Sequence, residues 1–328
     1  MDATIEARQP ARVTEFAFVD LGLMGLNLFR PLPRRGRHGA RKRMFEVEAV
    51  HDGRRLRVVG PYTLGADDLS VLLSVLALAG LLGKVIEAAA SEASRVAIVD
   101  GLESKGEVVD AAHIRVRTTL YAVCREVGVS VNGGSYERVS ECLWRMAAMS
   151  YADLGPVGTN ARRMRMGGSQ RLLSATTDEA TGEVTVVVNA RFAAVLLGPP
   201  YGRIDLVEAR RLGEMARLLH LRLSVMIRRG KALTVTTDQL GEWVYGGPPA
   251  SGREARRRRE EVRHGMEELG RLPGWELSEN RRRLMVSVTR AAVGESRVTG
   301  CAPPPAEYPA VVSGQGPTAV PQEAWEAA

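Results

Sequence analysis

Apolar positions recur with a helical period through the middle of the chain's second half. The clearest pattern places five apolar residues on one face of a helix: Met215, Leu218, Leu219, Leu223 and Met226. Asp205 and Glu208 have capping-box spacing and predict a helix start just before this face. Gly230 follows two arginines and predicts its end. An amphipathic helix is therefore expected in this region.

The residues after this helix predict a helix-turn-helix followed by a hairpin. A short helix is expected over 236–244, a turn over 246–249 and a longer helix over 251–269. Two capping pairs mark the helix starts, Thr236 with Gln239 and Ser251 with Glu254. Residues 275–277 and 284–288 then predict the strands of a hairpin wing.

The first half of the chain predicts a similar order of elements after an initial hairpin. The hairpin is expected over 45–50 and 56–59, and the first core helix over 65–80. Two helices, over 117–127 and from Ser135 onward, precede strands at 171–175 and 183–188. The order is again helix, turn, helix and wing, although the two halves share no obvious sequence repeat.

These patterns predict an α+β, mainly helical fold with two tandem winged helix-turn-helix domains. The expected parts are a basic flexible leader over 1–40, an N-terminal winged-helix domain over 41–198 and a C-terminal winged-helix domain over 199–290. A linking helix around 190–197 ends at the boundary. A disordered, proline-rich tail is expected over 291–328, which holds six of the sixteen prolines.

The composition favours an anionic partner. The net charge is +7 and the isoelectric point about 9.6, and only four of the 45 cations are lysine. Arginine suits forked contacts to phosphate and guanine, although a GC-rich genome also explains its excess. Between residues 30 and 43, seven of fourteen positions are Arg or Lys. This run is either a solvated tail or an arm that follows the DNA backbone.

The sequence contains few features of an enzyme. It has no GxSxG or HExxH motif, and its three cysteines lack CxxC spacing. We therefore expect no catalytic activity, no cofactor and no metal. The longest apolar run, 71–83, is too short to span a bilayer, and the thiols fit a cytoplasmic protein.

The strongest candidate site is the second helix of the C-terminal pair. Arginines crowd its first two turns, where the helix dipole is already positive, so a docked anion would stabilise them. The predicted DNA-binding residues there are Arg253, Arg256, Arg257, Arg259 and Arg263. The wing tip adds Arg281, Arg282 and Arg283. The alternative is a solvated helix whose arginines pair with glutamates one turn away.

In the first domain the corresponding helix is nearly neutral. DNA contact there is expected from Arg138 and from the wing residues Arg162, Arg163 and Arg165. Asp67 and Asp68 are interpreted as first-turn carboxylates rather than metal ligands. His220 is interpreted as a core histidine, and three aromatic residues as core packing: Trp144, Trp243 and Tyr245.

Several stretches are similar to one family. They are 65–69 with 78–80, 171–174, 216–223, and the arginine helix from Ala250 through Trp275. Together they resemble replication protein C of IncQ-type broad-host-range plasmids, an initiator that binds direct repeats (iterons) in the origin. The resemblance covers about 60–290. It implies two tandem winged-helix domains, no catalysis, and a plasmid-encoded helicase and primase as partners.

Three functions compete on the sequence alone. The leading hypothesis is a plasmid replication initiator that binds repeated double-stranded DNA sites, strains an adjacent AT-rich segment and recruits the helicase. The alternative is a winged-helix repressor that binds its own promoter. An enzyme acting on nucleic acid is disfavoured because no carboxylate and histidine constellation is present. Whether the chain forms a homodimer stays open.

Overall fold

The computed structural model describes residues 14–32, 44–51, 53–82, 84–86, 113–156, 170–178, 181–189, 191, 202–280 and 284–291. These residues form eight helices and thirteen strands. The α+β class is therefore confirmed. The expected predominance of helices is not confirmed, because antiparallel strands run through the whole described part of the chain.

The first described segment, residues 14–32, is folded rather than a flexible leader. Strand β1 (Phe16–Val19) and helix α1 (Leu21–Gly25) lie within the predicted leader. Ala17, Val19 and Leu23 are fully buried, because alternate apolar residues of β1 and one face of α1 face the core. The prediction of a flexible leader over 1–40 is therefore wrong for 14–32, and its other residues lie outside the described part.

A four-stranded antiparallel sheet follows. Its strands are β2 (Phe45–His51), β3 (Arg54–Gly60), β6 (Ser150–Pro156) and β7 (Gln170–Arg171), in that spatial order. The predicted hairpin of β2 and β3 is confirmed, with Phe45 opposite Gly60 and His51 opposite Arg54. Leu56 and Val58 of β3 are fully buried, so one face of this sheet covers the core.

A first unit of helices and strands begins after β3, is interrupted by β6 and β7, and ends with β8 and β9. Its elements are α2 (Ala66–Leu82), β4 (Lys84–Ile86), β5 (His113–Thr119), α3 (Leu120–Val127), α4 (Gly133–Ala147), β8 (Leu173–Thr177) and β9 (Glu183–Val188). The strand order is β4-β5-β9-β8. Residues 117–119 were expected to be helical but end β5, since Thr119 is the N-cap whose hydroxyl accepts from Ala122 N at 3.2 Å.

A second unit occupies the end of the described chain. Its elements are β10 (Gly202–Asp205), α5 (Leu206–Arg210), α6 (Glu214–Met226), β11 (Ala232–Thr236), α7 (Thr237–Tyr245), α8 (Gly252–Leu269), β12 (Trp275–Asn280) and β13 (Met285–Arg290). Asp205 caps α5, as its spacing predicted, by accepting from Glu208 N at 3.0 Å. The chain then turns at Leu212 and Gly213, so two helices stand where one was expected.

The two units repeat one arrangement. Both contain a long helix, a strand, two helices and two strands in the same order, α2-β5-α3-α4-β8-β9 and α6-β11-α7-α8-β12-β13, with β4, β6 and β7 as additional strands in the first unit. In each sheet the last strand lies between the first and the second, giving β5-β9-β8 and β11-β13-β12. The repetition is structural, since the sequences share no repeat.

The two units share one hydrophobic core and are joined by arginine contacts. Arg210, at the end of α5, donates to Glu126 of α3 at 2.6 Å and to the carbonyl of Thr14 at 3.0 Å. Arg217 of α6 donates to Ser70 of α2 at 2.7 Å. Strand β1 pairs with β10, which follows the predicted boundary near residue 198. The N-terminal segment is therefore part of the second unit's packing.

Candidate nucleic-acid interface

The α7–α8 pair is built on the two predicted caps. Thr236 Oγ1 accepts from Gln239 N at 3.0 Å, and Ser251 Oγ accepts from Glu254 N at 3.2 Å. Gly246 ends α7 with φ of 80°, a left-handed conformation that favours glycine. These local interactions set where each helix stops and starts, and so fix the turn between them.

One face of α8 is buried, so the opposite face is left open. Val262, Met266 and Leu269 are buried against the core. At Gly265 the helix approaches α6 closely, because an added Cβ would lie 2.8 Å from Met215 Cγ and 3.2 Å from Ala216 N. This close crossing fixes which side of α8 faces outward.

Three predicted residues are exposed on the first two turns of α8, namely Arg253, Arg256 and Arg257. Among the described residues, Arg253 and Arg256 have no ion pair. Arg257 pairs with Glu261 at 3.1 Å, and its side chain stays 53% exposed. The helix N-terminus adds partial positive charge at the same place, so this end of α8 is suited to an anion.

The other two predicted arginines of α8 are held by acidic residues of neighbouring elements. Arg259 forms a two-point contact with Asp238 of α7, at 2.5 and 2.7 Å. Hydrogen bonding from Arg259 lowers the pKa of Asp238, which is therefore a carboxylate at neutral pH. Arg263 donates to Glu279 of β12 at 2.8 Å. The structure thus ties these two side chains to the first helix of the pair and to the wing.

Asp238 and Glu279 were not identified from the sequence. The ion pairs that the sequence predicts lie one turn apart on a single helix, whereas these two pairs join α8 to α7 and to β12. Of the pairs considered, Arg257 with Glu261 and Arg258 with Glu254 are present. Ion pairs between different elements have no regular spacing along the sequence, so the sequence pattern does not predict them.

Arg258 holds the turn itself. It donates to the carbonyl of Gly247 at 2.7 Å and to Glu254 at 2.8 Å, and its guanidinium lies 4.4 Å from the centre of the Tyr245 ring. The Tyr245 hydroxyl donates to Glu261, and burial together with this contact raises the pKa of Tyr245. Arg258 and Tyr245 therefore stabilise the turn from within.

The corresponding helix of the first unit, α4, presents a different surface. Arg138 is exposed but pairs with Asp67 of α2 at 3.1 Å. Trp144 is 61% exposed, and its ring lies 5.1 Å from that of Tyr62. The expectation that Trp144 packs in the core is wrong, because the buried face of α4 is formed by other residues, including Val139, Leu143 and Met146. Trp243, by contrast, packs against the core as expected.

The remaining charged candidates are structural. Asp67 and Asp68 lie in the first turn of α2, as predicted. Asp68 is fully buried, accepts from Gly65 N at 2.7 Å and pairs with Arg145 at 2.8 Å. His220 is a buried histidine with a partner, as predicted, at 2.9 Å from Glu208.

Six predicted contact residues lie outside the described part of the chain: Arg162, Arg163, Arg165, Arg281, Arg282 and Arg283. The strands that flank the last three, β12 and β13, form the predicted hairpin. The structure thus brings Arg253, Arg256, Arg257, Arg259 and Arg263 together on one helix. It places Arg138 separately, on the first unit.

Repeated helix–strand units with an exposed arginine-rich helix define a class of basic α+β proteins suited to anionic polymers. The family model for replication protein C (RepC) matches residues 22–290. The chain therefore belongs to the RepC family, and it is a replication protein. No curated protein sequence matches the chain significantly.

The comparison with solved structures finds domains of a protein named RctB. Domains 2 and 3 of RctB, crystallised as selenomethionine derivatives, match with a TM-score of 0.52 at 13% identity, covering 82% of this chain and 98% of that one. A second crystal structure of RctB domains 2–3 gives a TM-score of 0.47 at 12% identity, over 81% and 95% of the two chains. None of the described helices combines the length and the apolar composition that a membrane-spanning segment needs.

Proposed function

We propose that the chain is a DNA replication initiator that binds direct repeats in an origin through two winged-helix units. The observation that carries the proposal is the exposed arginine group at the N-terminal end of α8, in a chain of the RepC family. The action is binding rather than catalysis, and double-stranded DNA is the main partner.

The winged-helix assignment is supported by the repeated order of elements. A helix, a strand, two helices and a two-stranded hairpin, with the last strand in the middle of the sheet, is the order expected of this motif. In the second unit α8 then takes the place of the recognition helix. Arg253, Arg256, Arg257 and Arg259 would enter the major groove, and Arg281, Arg282 and Arg283 would contact phosphates.

The first unit would contribute mainly through the basic segment between β6 and β7, which was predicted to be its wing but precedes the β8–β9 hairpin in the chain. Exposed Arg138 is the described cation of α4 that faces outward, and its pair with Asp67 is accessible to solvent. Arg162, Arg163 and Arg165 complete the proposed contact. Because α4 is otherwise poor in exposed cations, we infer that this unit adds affinity rather than base discrimination.

Origin opening and the recruitment of a plasmid-encoded helicase and primase belong to the same proposal, and they rest on family membership. Action on plasmid DNA would take place in the cytoplasm. Bending of a flexible AT-rich segment beside the repeats is the expected physical route to opening.

A paired substitution tests the interface directly. We expect Arg256→Ala with Arg257→Ala to weaken binding to the origin repeats by about 1–3 kcal/mol for each base-reading arginine. The matched control is Arg211→Ala with Arg228→Ala, which removes the same charge from two exposed arginines. Arg211 lies near Gly213, whose N–H donates to Glu268 in the last turn of α8. Because α8 rises about 1.5 Å per residue, Arg211 is about 20 Å or more from the arginines at the N-terminal end of that helix. Unchanged binding by the first variant would reject the assignment.

Footprinting across the protein's own replicon distinguishes initiator from repressor. It is done at moderate salt, because phosphate contacts alone retain any DNA at low salt. Protection of evenly spaced direct repeats beside an AT-rich stretch supports initiation. A single protected promoter site would instead favour a repressor, and no discrete protection would reject sequence-specific binding.

A further inference from the structure

Arg30 of the N-terminal segment lies against the turn between α7 and α8. A Cβ added at Gly246 would lie 2.6 Å from Arg30 Cζ, so the guanidinium is packed directly on this glycine. Its other side faces the Phe45 ring, whose centre is 4.8 Å away. The Arg30 N–H donates to the carbonyl of Leu64 at 2.9 Å, which fixes the backbone that carries the side chain.

The surroundings of Arg30 are strongly cationic. Arg222 donates to the carbonyls of Gly25 and Trp243, at 2.5 and 3.2 Å, at the ends of α1 and α7. Arg258 contacts the same turn, where it donates to the carbonyl of Gly247. Burial and the nearby Arg258 lower the pKa of Arg30, and burial with the nearby Arg30 lowers the pKa of Arg222 to about 10. Arg30 therefore experiences repulsion from Arg258, and Arg222 experiences repulsion from Arg30.

Arg30 differs from its two neighbours in having unused donors. Arg258 is occupied by Glu254 and Gly247, and Arg222 by backbone carbonyls. Arg30 donates through Nε to the carbonyl of Asn27 at 3.2 Å. Among the described residues, its two terminal nitrogens have no hydrogen-bond partner and no carboxylate pairs with it.

We propose that Arg30 is a phosphate-binding residue, contributed by the N-terminal segment, that contacts the DNA backbone beside the α7–α8 turn. The inference rests on the proposed function. A major groove is about 12 Å wide, so a duplex read by the first turns of α8 has a phosphate strand bordering the preceding turn. A positioned guanidinium with free terminal nitrogens, inside a cationic cluster, suits one phosphodiester oxygen pair.

This contact extends the interface beyond the helix-turn-helix. The side chain is held by Phe45 of β2 and by Gly246, so little rotamer entropy is lost when it binds. The N-terminal segment, which packs as part of the fold, would thus act together with α8 on one strand of the duplex.

The salt dependence of binding to a mixed-sequence duplex tests the proposal, because phosphate contacts do not depend on sequence. The logarithm of the association constant falls with the logarithm of salt concentration by about 0.9 for each phosphate neutralised. We expect Arg30→Gln to reduce this slope by about 0.9 and to weaken binding about fivefold at 0.15 M salt. Arg30→Lys, which keeps the charge, should retain most of the slope.

Two further variants separate charge from packing. Arg30→Met keeps an apolar stem on Phe45 and should show the same loss of slope as Arg30→Gln. Arg228→Gln removes one exposed charge from the end of the sheet opposite the wing tip and should leave the slope unchanged. Circular dichroism of each variant at the assay temperature ensures that only folded protein is compared.

The outcomes distinguish this inference from the function on which it rests. If Arg30→Gln and Arg30→Met keep the full slope while Arg256→Ala with Arg257→Ala weakens binding, Arg30 is a structural residue and the inference is wrong. If none of these variants changes binding, the proposed DNA interface itself is wrong.

Discussion

The guanidinium of Arg259 and the carboxylate of Asp238 meet at two points, 2.5 and 2.7 Å apart, and so connect α8 to the first turn of α7. Both side chains are partly exposed, at 32% and 40%. Water screens such a pair, so its value for stability is below about 1 kcal/mol. Its greater consequence is orientation, because a two-point contact fixes the plane of the guanidinium.

Replacing Asp238 should therefore affect DNA discrimination more than stability. We expect Asp238→Asn to strengthen binding to mixed-sequence DNA, since one negative charge is lost near the interface. The preference for origin repeats over mixed sequence should fall, since Arg259 is no longer held. Competition binding with both duplexes measures the ratio. An unchanged ratio would show that Asp238 does not orient a base-reading residue.

The same substitution, glycine to alanine, should have opposite effects on stability at two helical positions, Gly265 and Gly241. At Gly265 an added Cβ would lie 2.9 Å from Leu219 Cδ1 and 3.2 Å from the backbone of Ala216, so α6 and α8 must separate. We expect Gly265→Ala to destabilise the protein by about 1–3 kcal/mol. Denaturant unfolding followed by circular dichroism measures the change.

Gly241 is the matched control for this substitution. Its added Cβ would meet only Val262 Cγ2, at 3.9 Å, which is an ordinary contact. Because alanine has the higher helix propensity, Gly241→Ala should be neutral or stabilising by up to about 1 kcal/mol. Equal effects at both positions would contradict the close crossing of α6 and α8.

Local interactions explain the predictions that the structure confirms. Thr236 and Ser251 cap the helices that they precede, because a hydroxyl near a helix start satisfies a backbone donor regardless of the rest of the fold. The β2–β3 hairpin likewise follows from alternation over neighbouring residues. Spacing along the sequence was sufficient for these elements.

Long-range contacts explain what the sequence did not reveal. Strand β1 pairs with β10, so residues 16–19 become ordered through partners almost two hundred positions later. Asp238 and Glu279 reach α8 from other elements, and Trp144 is exposed because α4 turns different residues toward α2. None of these contacts follows from the spacing of residues within one helix or strand, so each is visible only in the three-dimensional structure.

The buried pair of Asp68 and Arg145 predicts a strong dependence on both partners. Asp68 is fully buried and the Arg145 side chain 7% exposed, so removing one leaves an uncompensated charge in the core. We expect Arg145→Met to cost about 3–5 kcal/mol of unfolding free energy. Adding Asp68→Leu should restore much of it, since no buried charge is left. Denaturant midpoints of the single and double variants check this, and an additive loss would contradict the coupling.

The decrease in the free energy of unfolding at acidic pH should depend on Glu208. Its Oε2 lies 2.9 Å from His220 Nε2 and accepts from Trp275 Nε1 at 2.9 Å. Burial alone would raise the pKa of Glu208, but these hydrogen bonds, together with the charges of His220 and Arg290, lower it below its usual 4.5. A carboxyl group whose pKa is lower in the folded state stabilises that state above the unfolded pKa, and the contribution is lost as pH falls through the folded pKa.

Comparison of the wild type with Glu208→Gln isolates this contribution. We expect the wild type to be the more stable above pH 4.5, by an amount that does not change up to pH 6, and the difference to shrink below pH 4.5. Glu137→Gln, on an exposed position of α4, is the control that removes one carboxylate without touching this buried group. Unfolding free energies from urea titrations at each pH give the difference directly. A difference that grows as the pH falls would mean that the pKa of Glu208 is raised by its burial, and that His220 and Trp275 do not stabilise its charge.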